Sequence, residues 1–138
     1  MIIAIDYATS MGVAWTIDTK TIYFSSIVGS QFEHLNFIKR IKGKKKARVI
    51  FEQLNFFRNA KTVRSLLLKT GYVAFSLSEK PEFVSTTAPR KFLGCKTKDD
   101  VFRLFQSYGV KNNDESDALA LLLFVLDKKI SEVEIVRG

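Results

Sequence analysis

The chain opens MIIAIDYATSMGVAWTIDTKTIYFSSIV (Met1–Val28), and the reading of this stretch decides the fold class. Ile2 to Asp6 is a short apolar run ending in a carboxylate, the pattern of a buried strand. Met11 to Ile17 and Thr21 to Val28 are β-rich runs, and Asp18-Thr19-Lys20 between them supplies turn chemistry. Three strands in a meander are therefore expected. Met1–Asp6 has no basic lead and no cleavage site, so it reads as a first strand and not as a signal peptide.

Outward from the meander the period changes. Phe32, Leu35, Ile38 and Ile41 recur at helical spacing and predict a helix over Gln31 to Lys42. Ala47 to Glu52 reads as a fourth strand. Asn59 to about Ser78 is the longest helix candidate, with Gly71 a point where it could bend or break. Glu82 to Thr86 is a short fifth strand, and Ala88-Pro89 opens a brief helix. Thr97-Lys98-Asp99-Asp100 has the form of a helix cap and charged first turn, with Gly109 as the stop. A last helix runs from Asn113 to about Lys129. The expectation is one α/β domain over residues 1–138, a five-stranded mixed sheet with helices on both faces.

The 138 residues are 46% apolar and 26% charged, an ordinary balance for a soluble globular domain. The most apolar stretch, Ala118 to Leu126, is too short to span a bilayer, so no membrane is expected. The one cysteine, Cys95, excludes an internal disulfide and favours a reducing, intracellular setting; without Cys or His company it is no zinc ligand. His34 is expected in packing or on the surface, and Trp15 in the core. The net charge of +8 points to a polyanion, with nucleic acid the default partner.

Four carboxylates stand apart. Asp6 ends the first strand and Glu52 the fourth, while Asp114 and Asp117 open the last helix three residues apart on one face. Singly, each has a structural explanation: strand-end acids mark loops, and acids in a helix's first turn complement its dipole. Together they have another. If the first and fourth strands are parallel neighbours, Asp6 and Glu52 meet at one sheet edge, and the last helix can carry its acids to the same point. Clustered carboxylates repel unless a cation sits among them, and oxygen-only ligands suit Mg²⁺ or Mn²⁺. Two such ions about 4 Å apart would clamp an in-line attack on phosphate.

These residues resemble a known family. Ile2-Ile3-Ala4-Ile5-Asp6 with Gly12-Val13-Ala14, then Phe51-Glu52-Gln53-Leu54 with Asn59-Ala60, then Asp114-Glu115-Ser116-Asp117-Ala118-Leu119-Ala120 resemble the three motifs of RuvC-like Holliday junction resolvases. The resemblance implies an RNase H-like fold and a homodimer that makes paired nicks in four-way junction DNA. It also implies two Mg²⁺ per active site, with no organic cofactor. By position Asp6, Glu52, Asp114 and Asp117 match the catalytic acids. Lys98 matches a basic catalytic residue, and Lys91 a second basic residue. Tyr7-Ala8 stands where the family usually has Pro-Gly. An aromatic wedge follows the glutamate in bacterial members; here Asn55 takes that position, beside Phe56 and Phe57.

For DNA contact the expected residues are Phe56, Phe57, Arg58, Lys61, Arg64, Lys91 and Lys96, the basic ones lying nearer the predicted acidic edge in sequence order. The densest basic run, Lys39 to Arg48, leads into the wrong end of strand four: five residues at about 3.3 Å each put it roughly 17 Å from Glu52. It could bind a distal arm or be a solvated loop. The exposed apolar side of the long helix is a candidate dimer face. Three rivals stay open. One is a phosphotransferase of the actin and sugar-kinase class, which would need a second Gly-rich loop absent here. The others are a non-catalytic junction binder and an RNase H-like nuclease acting on a hybrid or flap.

Overall fold

A computed structural model describes residues 1–8, 10–53 and 60–138, apart from the side chains of 60, 62 and 63. Strands β1 (Ile2–Tyr7), β2 (Ser10–Thr16) and β3 (Thr21–Val28) form the expected antiparallel meander. Asp18 makes the turn between the last two by accepting the Lys20 and Thr21 N–H groups, both at 2.9 Å. Helix α1 (Gln31–Lys42) crosses to β4 (Arg48–Glu52), parallel to β1. Then come α2 (Ala60–Leu77), β5 (Glu82–Val84), α3 (Thr87–Phe92), α4 (Lys98–Phe105), α5 (Asn113–Leu126) and β6 (Glu134–Arg137). The strand order is β5-β4-β1-β2-β3-β6.

The sheet thus has six strands where five were expected. The added strand, β6, runs parallel to β3 with Thr21 opposite Glu134. Its four residues, Glu134-Ile135-Val136-Arg137, are half charged and too few to show an alternation. Pairing with the open edge of β3, and not local propensity, makes them a strand. Gly71 does not interrupt α2, which is one continuous helix; Val73 and Ala74, packed on the sheet, outweigh the glycine's cost of about 1 kcal/mol.

Each buried strand presents alternate residues to two cores. Ile3, Ile5, Tyr7, Met11, Val13, Val49 and Phe51 pack under α1 and α2, against Leu35, Ile38, Val73 and Ala74. Ala4, Ala14, Ile22, Phe24 and Ile50 point the other way, to Val101 and Phe105 of α4 and the run Ala118–Leu123 of α5. The small Ala4 and Ala14 let α5 settle closely on the sheet. Parity then decides the chemistry: Asp6 follows Ala4 by two residues and Glu52 follows Ile50 by two, so both face the α5 side.

The ends of α4 match their sequence signals, and α1 and α5 carry side-chain caps as well. Ser30 caps α1, and a Thr97–Asp100 capping box opens α4. Asn112 accepts the Glu115 N–H at 2.9 Å to start α5. Gly109, at φ 86°, ends the turn after α4 in a left-handed conformation. Among the described residues no helix is long and apolar enough to cross a membrane.

One glycine is set by close approach. A Cβ on Gly12 would lie 2.0 Å from the Asp114 carbonyl oxygen, so the first turn of α5 rests directly on the β2 backbone. Backbone cannot step aside as a side chain can. Gly12→Ala is expected to destabilise by about 3 kcal/mol, at the upper end of overpacking costs, measured by urea unfolding; a change under about 0.5 kcal/mol would show that α5 does not seat there.

Candidate metal centre

Ile5 stands opposite Phe51 in the parallel pair, so the next residues, Asp6 and Glu52, lie side by side at the carboxyl ends of β1 and β4. Asp6 is also paired across to Gly12, the residue under the start of α5. That helix brings in Asp117. One carboxylate oxygen from each of Asp6, Glu52 and Asp117 lies within 4.8 Å of the other two. All three are withdrawn from solvent, at 9%, 9% and 5% exposure. Among the described residues no group hydrogen-bonds Asp117 Oδ2, which is fully buried. A buried carboxylate oxygen without a donor is costly. Three crowded carboxylates, one of them carrying such an atom, suit a hard divalent cation.

The electrostatics agree. Burial raises the Asp6 carboxyl well above its usual range, and the charge of Glu52, a hydrogen bond with Glu52, and the charges of Asp117 and Asp114 add to the rise. Burial likewise pushes Asp117 up to about 7; Glu52 and Asp114 push the same way, while Lys98 and Arg90 oppose them. Asp114 is therefore electrically part of the cluster, although its carboxylate is not among the three oxygens that converge.

The other expected residues divide. Lys98 opens α4 and acts on Asp117. Lys91 is exposed; its neighbour Arg90, which the sequence reading passed over, carries the charge felt at Asp117. Arg90 Nε is buried and has no hydrogen-bond partner among the described residues. Only the orientation of the six-residue helix α3 separates the two, and six residues are too few to show a face. Lys61, Arg64 and Lys96 are exposed. Phe56, Phe57 and Arg58 lie outside the described residues, as does Asn55. The Lys39–Arg48 run sits at the far end of β4 from Glu52, and Arg48 is paired with Glu82 at 2.9 Å.

Glu115, between Asp114 and Asp117, has a different setting. It is fully buried and bound to Arg137 of β6, with oxygen–nitrogen distances of 2.8 and 3.0 Å. Burial alone would raise its carboxyl, but hydrogen bonds from Arg137, the Lys111 N–H and Ser26, with the Arg137 charge, outweigh it and hold the group below the usual range. His34 is a packing residue, buried with Nδ1 2.7 Å from the Tyr7 hydroxyl. Trp15 is only half-buried, stacked on Tyr23. Cys95 is half-buried and unpaired.

The raised carboxyls carry a stability consequence with a definite sign. Without metal, folded Asp117 keeps a proton up to about pH 7, whereas its ordinary value is 3.8. The folded state binds more protons across that window, so stability falls as pH rises through it. The span corresponds to roughly 4 kcal/mol at most. In chelator, wild type is expected to lose stability relative to Asp117→Asn between about pH 4 and 7, and Mg²⁺ should remove the loss by displacing the proton. Parallel pH–stability curves for the two proteins would contradict this.

No protein-family model matches the chain, and no curated protein sequence matches it significantly. Its structure does have relatives. Thermus thermophilus RuvC in complex with Holliday junction substrate aligns at TM-score 0.63 and 15% identity, over 89% of this chain and 90% of that one. A second Thermus thermophilus RuvC structure aligns at TM-score 0.61 and 15% identity, over 96% and 98%. A Fowlpox virus resolvase complexed with substrate Holliday junction DNA aligns at TM-score 0.47 and 13% identity, over 92% and 99%. The resemblance carried by three short motifs and the likeness of the whole backbone converge: this chain has the RuvC fold.

Proposed function

We propose that the chain is a metal-dependent endonuclease that resolves four-way DNA junctions as a homodimer. The observation that carries this reading is the convergence of Asp6, Glu52 and Asp117 at the carboxyl end of β1 and β4, on a RuvC fold with net charge +8. A pure binder gains nothing from buried negative charge facing phosphate.

Asp6, Glu52 and Asp117 would hold the divalent ions, Mg²⁺ or Mn²⁺, two per site in this reading, with Asp114 contributing from the same helical turn. Bound there, such ions supply an activated water and neutralise charge at the scissile phosphate. The protein's own groups do the remainder. Lys98 and Arg90, on the helices flanking Asp117, donate to phosphate oxygens and stabilise charge that develops on them. The buried walls keep the carboxylates from relaxing into water. Lys61, Arg64, Lys91, Lys96 and Arg58 would track the backbone of the arms, and Phe56 or Phe57 would stack at the opened junction centre.

The dimer reading rests on α2. Leu67, Leu68, Tyr72 and Phe75 are 45%, 70%, 41% and 65% exposed. Phe32 of α1, 56% exposed, joins them through an edge-on contact with Tyr72, ring centres 5.3 Å apart. An apolar patch of this kind is a partner surface by default. A second copy across a two-fold axis would present two acidic sites to a two-fold substrate. Sedimentation should show a dimer at micromolar concentration, and Leu68→Glu with Phe75→Glu should leave a folded monomer. Wild type that sediments only as monomer would refute the dimer.

The activity test uses a labelled four-way junction in Mg²⁺ beside linear duplex, a flap and an RNA–DNA hybrid. Paired symmetric nicks on the junction alone are expected, abolished in Asp6→Asn and slowed about 100-fold in Arg90→Ala with junction binding little changed. Preference for the hybrid or flap would keep the chemistry and replace the substrate. Tight binding without cleavage in Mg²⁺ or Mn²⁺ would leave a binding module.

A further inference from the structure

The N-terminal part of α5 supplies Asp117 to the metal cluster, yet its anchor lies on the other side of the sheet's centre. Glu115, two residues earlier, turns away from the cluster into a closed polar nest. Its Oε1 accepts from Ser26 Oγ of β3 at 2.7 Å and from Arg137 Nη1 at 3.0 Å. Its Oε2 accepts from the Lys111 N–H at 2.7 Å and from Arg137 Nη2 at 2.8 Å. Arg137 Nη2 also donates to the Gly109 carbonyl at 2.6 Å, and the guanidinium lies 4.7 Å over the Phe24 ring. Asn112, the cap of α5, donates to Ser26 Oγ at 3.3 Å while accepting the Glu115 N–H at 2.9 Å.

These bonds tie three separate pieces of chain to one helical turn: β3, β6 and the loop 109–112. They fix both its height over the sheet and its rotation about its own axis. Asp117 shares that turn, and its oxygen must meet those of Asp6 and Glu52 within 4.8 Å. A rotation of α5 that released Glu115 would carry Asp117 with it. Gly12 sets how close the turn may come to β2 and does nothing to fix its rotation.

We propose that Arg137 is a positioning residue for the metal centre, acting through Glu115 to hold the first turn of α5 where Asp117 completes the cation site. The proposal rests on the metal-dependent reading above and adds β6 to it. It also explains why so short and charged a strand is paired into the sheet: β6 delivers one guanidinium to a fully buried carboxylate. Lysine cannot replace it without loss, because a single ammonium lacks the planar fork that meets both Glu115 oxygens and the Gly109 carbonyl together.

The test reads metal binding without DNA. Mn²⁺ affinity of the full chain is measured by calorimetry, well below each protein's melting temperature, for wild type, Arg137→Lys and Arg137→Met. Native circular dichroism with Mn²⁺ binding weakened about threefold to tenfold in the lysine variant, and more in the methionine variant, is the expected result. A purely structural Arg137 would lower the melting temperature in chelator and leave the affinity of the folded protein unchanged, which overturns the proposal. Should Arg137→Met fail to fold, Arg137→Lys, which keeps the charge, decides alone: wild-type Mn²⁺ affinity overturns, a weakened one supports. Junction cleavage by wild type is assayed in parallel. Wild type that binds Mn²⁺ but cuts no junction defeats the resolvase reading and leaves the positioning role to the variants. Wild type that binds no Mn²⁺ defeats both.

Discussion

Three acidic side chains are held together out of water, and most of the fold can be understood as what makes that possible. Burial and the neighbouring carboxylates both act against the charged forms of Asp6 and Asp117, the two acids that flank Glu52 in the cluster. Among the described residues one oxygen of Asp117 is left with no donor. The acids stay because each is fixed by structure that has other reasons to form. Asp6 and Glu52 end strands whose preceding residues are core, and Asp117 sits on a helix whose next six residues, Ala118 to Leu123, are all buried. Apolar burial on the order of 2 kcal/mol per large side chain supplies the constraint that the carboxylates oppose.

The site is therefore a place of stored electrostatic cost, and a divalent cation is the species that would remove it. The surrounding positive charge follows the same logic at longer range. Lys98 and Arg90 temper the charge of Asp117, with no ion pair to it among the described residues. Contrast Arg137, which is ion-paired with Glu115 at 2.8 Å. Two arginines near one helix end thus differ: among the described residues Arg90 has a buried nitrogen without a partner, while Arg137 is bonded to a carboxylate and a carbonyl.

Much of this could be read from the amino-acid order. The meander, the helical crossover, the parallel placement of β1 and β4, and the gathering of Asp6, Glu52 and Asp117 follow from apolar runs of period two or 3.6 that end in carboxylates. The acids are legible because their chemistry demands specific residue types at element ends. Trp15 and Gly71 show the limits in small: a strand residue taken as core lies half-exposed, and a glycine that could break a helix is carried through by packing.

The sequence by itself determined the strand parity that sends Asp6 and Glu52 to one face, because alternation is a property of the local backbone. It also determined the spacing that puts Asp114 and Asp117 on one helical face, and the excess of positive charge. Only the tertiary structure decided that Arg90 and not Lys91 acts on Asp117, that β6 exists, and that Glu115 belongs to Arg137 and not to the metal cluster. In each of those cases the deciding partner lies far along the chain or depends on how a very short helix is turned. Such contacts leave no period in the sequence, since they arise from the packing of one element on another.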